Sequence, residues 1–523
     1  MKFTARARGW RIAAVALTAA LALSGCAAEA PAASSGSGEG PVSGGTLTFG
    51  RAASVTDLDL HQQITANNAF AIDKIFEPLV SFDADGKIIA WLADYEVSGD
   101  GLTYTFTLHD GVKFSDGTEV TPEDVVFSIT RHLEMEGSPL PIEAPVDTIE
   151  ATGDREITIT LKSAYTPFLS ELAGFSNGVL PKDFGGANEA EFFKSPVGTG
   201  PWVLDEWDPN GDLSFVKNEH YWQDGKPYLD GLVYKFVADP TQLQQQLVAG
   251  QVDAVEQVPA ANSAEVGGNA ALQLIEAAGW SADQVFFNTL NEHFADEHVR
   301  RAIAHAIDRD GIAQATGFGT SEVANALVPT AIEYSANDQG YGLAYDVDAA
   351  KAELAKSKFA DGFATTLAIR NDRPEFAQIA QIVQEQLAAI DIDVTIESLD
   401  YAVFKERVYA NLDYDFMLNN GQADAPDPNG IISFQTDVTG FSKSYWTSFS
   451  DPEVNKLVEQ GRTTADGPER EKIYFKIQKL LAEKAPFIPL SFPANLQGTT
   501  ASVHDYTLLP NGSVRFQDAW IAQ

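Results

Sequence analysis

Three short patterns in this chain carry residue types that could do chemistry. Gly174-Phe175-Ser176-Asn177-Gly178 fits G-x-S-x-G, the turn that presents a serine nucleophile to a carbonyl. His293, His298 and His305 could hold a metal or move a proton, and Asp83-Ala84-Asp85-Gly86 opens like a calcium loop. Context argues against each. A nucleophile elbow needs a strand before the serine and a helix after it, whereas 167–173 reads as helix and Pro181 follows closely. The histidines are five and seven positions apart, so no pair has the H-E-x-x-H spacing. The acidic tetrapeptide lacks the later glutamate of a calcium loop and reads as a turn. No P-loop or dinucleotide fingerprint occurs, and neither catalytic residues, a metal nor a cofactor are expected.

The single cysteine, Cys26, closes the run Leu23-Ser24-Gly25-Cys26. An apolar stretch, Ile12 to Leu23, precedes it, behind the bases Lys2, Arg6, Arg8 and Arg11. That order is the grammar of a secretory signal. The four residues resemble a bacterial lipobox, in which the cysteine is lipidated and becomes the new N-terminus. Residues 1–25 are therefore expected to be a signal peptide and 26–44 a lipidated, Ser/Gly-rich tether that cannot bury a core. The twelve apolar residues are too few to span a bilayer, which takes about 20. With no other cysteine, neither a disulfide nor a thiolate metal site is possible in the body.

Lys and Arg total 35 against 74 Asp and Glu, a formal charge of −39. Nucleic-acid binding is excluded, because phosphate recognition needs a basic face. The body, about 480 residues, is long enough for two or three domains.

Several elements must position whatever site exists. Thr46-Leu47-Thr48-Phe49, 79–82, 87–89, 103–108, 156–161, 213–216 and 232–237 read as strands. Thr121-Pro122-Glu123-Asp124 is a helix start, with Val125, Val126, Ile129 and Leu133 as its apolar face. A helix also fits 241–249. The second half alternates helix and strand: helix 298–307, helix 346–359, strand 365–369, helix 374–390, strand 394–399, helix 401–411 and strand 414–418. Helix 469–483 precedes a final strand, 487–492. Strand, helix, strand predicts a right-handed parallel unit. Trp280, just ahead of the strand-like Gln284-Val285-Phe286-Phe287, is a candidate wall of a cleft.

Six segments, in order, resemble the extracytoplasmic solute-binding proteins of ABC importers, family 5, the dipeptide/oligopeptide/nickel group. They are Leu108 to Thr118 with Val120 to Val125; Pro196-Val197-Gly198-Thr199-Gly200-Pro201-Trp202; Val299 to Arg309; Tyr345 to Lys351; Ala423-Asp424-Ala425-Pro426-Asp427-Pro428; and Ser450-Asp451-Pro452-Glu453-Val454-Asn455. The resemblance implies an α/β, periplasmic-binding-protein-like fold of type II: two α/β lobes joined by a hinge, with an extra domain inserted in lobe I. Carried onto this chain, lobe I is 45–84, 194–283 and 487–523, the inserted domain 85–193, and lobe II 284–486. The partners implied are a small-molecule or peptide ligand, ABC permease subunits and a membrane reached by the lipid anchor, for a monomer.

Ligands of open α/β sheets bind beyond the carboxyl ends of strands. The loop 419–428 follows the strand 414–418, so Asp424 stands where a ligand group could sit. In peptide-binding members, the acid matching Asp424 pairs with the ligand's α-ammonium group. The same residue could instead structure an Asp/Pro turn, as its neighbour Asp427 would. Peptide binders commonly carry tryptophan three positions before that acid; here Gly421 stands there, ahead of Gln422 and Ala423. The remaining candidate contacts are Val55 and Thr56 after the first strand, Trp280, Asn288 and Phe492. A peptide or peptide-like solute is the ligand expected, with a sugar oligomer, a metal chelate or an anchored hydrolase as alternatives.

Overall fold

The computed structural model describes residues 40–62, 65–423, 425–436 and 446–522. Among them, strands gather into two large sheets, of seven and six strands, and a smaller one of four. Cys26 and the signal and tether before Gly40 lie outside the described residues.

The first sheet is built around β1 (Thr46–Arg51), which is parallel to strands Gly231–Phe236 and Ala254–Val255 on its two sides. Strands Leu213–Lys217 and Trp202–Trp207 extend it antiparallel on one flank. β2 (Leu272–Ala277) closes the other edge. The four-stranded antiparallel sheet is formed by segments between Ala93 and Leu161. Helix α1 (Pro122–Glu134) lies by that sheet, and burial picks out Val125, Ser128, Ile129 and His132. Val126 and Leu133 are more open than the sequence pattern suggests.

The second sheet runs Ser321–Val323, β7 (Phe487–Pro493), β3 (Ser281–Phe287), β6 (Phe416–Gln422), β4 (Phe363–Arg370) and β5 (Ile392–Leu399). β4 and β5 are parallel through eight paired residues, joined by helix α2 (Pro374–Ala388). α2 buries Phe376, Ile379, Ala380, Val383 and Leu387, the 3.6-residue stripe visible in the sequence. Phe376, Ile379, Val383 and Leu387 each contribute about 1.5–3 kcal/mol relative to exposure. Helix α3 (Pro428–Thr436) follows β6.

Two details depart from the sequence reading. The helix expected over 346–359 is regular only over Val347–Leu354. The strand expected over 414–418 runs instead from Phe416 to Gln422, because β3 pairs with it across all seven residues, Phe287↔Phe416 to Ser281↔Gln422. Gly421 and Gln422 are thus strand residues, and the loop begins at Ala423. Strand pairing also draws the line between sheets elsewhere than at 284 and 487. β3 from Ser281 and all of β7 are hydrogen-bonded into the second sheet. β8 (Asn495–Thr500) returns the chain to the first, between β2 and Ala254–Val255.

Candidate functional site

The two sheets are joined by two short connections, residues 278–280 between β2 and β3, and Ala494 between β7 and β8. The connections touch. A Cβ placed on Gly279 would come within 2.8 Å of the Pro493 carbonyl, so only glycine fits between them. One acceptor, the Pro510 carbonyl, takes hydrogen bonds from the Trp280 backbone at 3.2 Å and the Asn495 amide at 2.8 Å. Trp280 itself is buried against Phe82, with ring centroids 4.8 Å apart, and it covers Gly86. Its carbonyl accepts the Ala423 N–H at 3.0 Å, which fixes the end of β6 to this hinge.

β6, parallel to β4, ends beside the hinge. β4 pairs with β6 only at Leu367 and Ala368, so β6 beyond Met417 has no strand partner on that edge among the described residues. An open edge of this kind offers main-chain donors and acceptors to an extended ligand. Charges gather at the carboxyl end of β4. Arg370 pairs with Asp372 at 2.6 Å and lies over the Tyr401 ring at 4.2 Å. Burial pushes the Asp283 carboxyl up to about 7, and neighbouring Glu375 adds to the effect while Arg373 opposes it.

On the opposite face of β6, Gln284, Asn419 and Gln435 converge around Gly421. Asn419 donates to the Tyr409 hydroxyl at 2.6 Å. The Trp446 ring stacks on Tyr409 at 5.7 Å and meets Phe286 edge-on at 4.8 Å. A tryptophan side chain on Gly421 would run into both glutamine amides, so the position that sequence reasoning marked as a missing wall is already filled.

Two α/β bodies hinged beside open strand ends are the architecture of a binding protein that closes on its ligand. The model for "Bacterial extracellular solute-binding proteins, family 5 Middle" matches residues 87–443, well over half of the chain. The chain belongs to that family. Among similar proteins, heme-binding protein A of Haemophilus influenzae is 28% identical over 480 residues, covering 86% of this chain and 87% of that one. The periplasmic binding protein DppA of Helicobacter pylori, solved with the peptide STSA, superposes with a TM-score of 0.81 at 25% identity, over 92% of this chain and 99% of that one. AgaA of A. tumefaciens, solved with agropinic acid, gives 0.80 at 27% identity, over 92% of this chain.

The fold of this family 5 protein distributes the sequence candidates unevenly. Gly421, Gln422, Ala423 and Trp280 meet at the hinge, and the Gln422 amide donates to the Asn511 carbonyl at 3.3 Å. Phe492 is buried beside Ala282 and Ala324 in the same region. Val55 and Thr56 lie at the carboxyl end of β1. Val55 is buried and its carbonyl accepts from the Trp207 indole at 2.8 Å; exposed Thr56 donates its N–H to Asn68 at 2.9 Å. Asn288 lies at the far end of β3, its amide committed to the Leu412 and Tyr414 carbonyls at 3.1 and 2.9 Å. Asp424 lies outside the described residues. Its neighbour Asp427 does cap: it accepts the Asn429 N–H at 2.8 Å and pairs with buried Arg470 at 2.8 Å.

Ser176 sits in the 3-10 turn Phe175–Asn177, after helix Phe168–Leu172 rather than after a strand, so the elbow geometry is not formed. Among the described residues, no cluster of three or more His, Cys, Asp or Glu could hold a metal ion, and no helix is long and apolar enough to cross a membrane.

Sequence reasoning missed a second contact zone, between the small sheet's domain and the region after β6. Arg462 pairs with Glu143 at 3.1 Å and donates to Asn429 at 3.0 Å. The Thr166 backbone donates to the Arg462 carbonyl at 2.7 Å, and its hydroxyl to the Thr464 carbonyl at 2.8 Å. Tyr165 donates to Glu171, whose carboxyl is pushed up to about 8 by burial, with Glu143 adding to the shift. Arg462 and Thr464 stand about 300 positions from Glu143 and Thr166, and no local pattern announces those contacts.

Proposed function

We propose that this family 5 protein captures a peptide or peptide-like solute between two lobes and delivers it to an ABC permease, without chemistry of its own. The observation that carries the reading is the unpartnered edge of β6 beside the hinge, where an extended ligand can add main-chain hydrogen bonds. The tetrapeptide in the DppA complex is the matching chemistry among similar proteins; the heme and agropinic-acid binders keep other solutes as the competing reading. The lobes are taken to divide at the two touching connections, 278–280 and 494, with the inserted domain at about 85–193. Lipidated Cys26 would hold the monomeric body at the membrane by the tether through 44. Asp424 is assigned to the ligand's α-ammonium group, a charge-assisted pair strengthened when closure excludes water.

Thermal-shift binding with a peptide mixture tests the ligand class. Stabilisation by peptides is expected; its absence, with heme or a sugar oligomer stabilising instead, overturns the peptide reading. Asp424→Asn should weaken peptides with a free amino terminus by at least about tenfold, since truncating one partner of a desolvated charge pair costs at least about 2 kcal/mol. Unchanged affinity returns Asp424 to a turn role.

A further inference from the structure

We propose that Gln284, Asn419 and Gln435 form a subsite for an uncharged ligand group that both donates and accepts hydrogen bonds, a carboxamide or a hydroxyl. The inference rests on the solute-binding reading above and adds which group the site selects. Gln284 and Asn419 are directly opposed across β3 and β6, and Gln435 reaches them from α3. All three are buried, at 0, 2 and 2% exposure. Both amide atoms of Gln284, both of Gln435 and the Asn419 carbonyl oxygen have no hydrogen-bond partner among the described residues.

Leaving one buried amide unpaired costs about 1–3 kcal/mol, and here three converge. The usual resolution is a polar group from outside the protein fold. Amide orientation does not remove the argument. Turning one glutamine over so that it bonds the other still leaves one donor and one acceptor facing the same place. The set therefore asks for both functions at once.

Charge is disfavoured. None of the three amides bonds a charged side chain among the described residues, and a buried carboxylate or ammonium is costly unless it is paired. The surrounding surface is aromatic: Tyr409 and Trp446 stack beside Asn419, and Phe286 lies on the same face of β3 as Gln284. Unpaired amides within an apolar rim suit a neutral polar group held by direct hydrogen bonds. Gly421 makes the subsite possible, because any side chain there would displace Gln435 and Gln284.

The test is calorimetric, on the purified chain. The panel comprises tripeptides that differ only by Gln, Glu or Leu at one position, plus a neutral oligosaccharide. A Gln-bearing peptide is expected to bind about tenfold tighter than its Glu and Leu counterparts. Gln435→Leu should erase that preference and hold or raise the melting temperature of the ligand-free protein, since an unpaired buried amide is removed. If that variant does not fold, Gln284→Met makes the same test. Oligosaccharide binding that is lost in the same variants assigns the hydroxyl source and supports the subsite. Equal affinities across the peptides, or a preference that survives both substitutions, overturns it while leaving solute binding intact. A panel in which nothing binds overturns the subsite together with the peptide reading.

Discussion

Glu77 shows how much a single residue can hold that its sequence neighbourhood conceals. Its carboxylate is buried and accepts from the Trp91 indole at 2.9 Å, the Tyr221 hydroxyl at 2.9 Å and the Trp222 indole at 3.0 Å. The three donors come from positions 14 to 145 residues away, so nothing local marked Glu77. Burial pushes the carboxyl up to about 7, against the pull of those donors. The folded protein therefore holds a proton that the unfolded chain, with an ordinary glutamate near 4.5, releases. Stability from this site is fully present below about 4.5 and is lost as pH rises through about 7. Glu77→Gln should flatten that part of the stability-pH curve. It should also cost about 1–3 kcal/mol, because the amide nitrogen cannot accept. Urea unfolding at pH 5, 6, 7 and 8 measures both; an unchanged slope removes Glu77 as its source.

Elements differ in how much of them the sequence announces. α1 was legible because its signals are local: Asp124 accepts both the Thr121 N–H and hydroxyl at 2.7 Å, closing the turn that Thr-Pro-Glu-Asp spells. α2 and the β4–β5 pair were legible from periodicity. β6 was half legible. Its first residues are apolar, but Asn419-Asn420-Gly421-Gln422 has no strand signature, and it is extended only because β3 supplies partners along its whole length. That same non-local packing decides Gly421. From sequence, tryptophan looks like the residue missing there; in the fold, the space over Gly421 belongs to Gln284 and Gln435. Gly421→Trp should accordingly destabilise by about 1–3 kcal/mol or more through overpacking, rather than restore an aromatic wall. Thermal unfolding checks this, and a variant as stable as the parent with unchanged ligand preference would show that the two glutamines readily move aside.

At the scale of the whole molecule, the family motifs made the α/β binding-protein plan readable, and strand pairing shows that Ser281–Phe287 and Phe487–Pro493 share one sheet. The sequence could not show which distant segments touch, because such pairs are joined through space alone. The hinge connections lie together at one side, where Gly279 meets Pro493. A second contact joins the segment around the four-stranded sheet to Arg462, whose side chain lies on Glu143 and Asn429 and whose carbonyl accepts from Thr166. The Arg462 side chain is 13% exposed and that of Glu143 is 29% exposed, so the pair is partly shielded from solvent. A contact that forms only in a closed state sets the off-rate of the ligand it encloses, and we propose that this is such a contact. Arg462→Ala removes the side-chain half and keeps the carbonyl half. It should raise the ligand off-rate by about three- to tenfold with little change in on-rate, since only the closed state loses an interaction. Small-angle scattering should show the ligand-free variant shifted toward a larger radius of gyration. An off-rate equal to the parent's, with scattering unchanged, would mean that Arg462 organises the inserted domain's border and leaves closure to the hinge and the ligand.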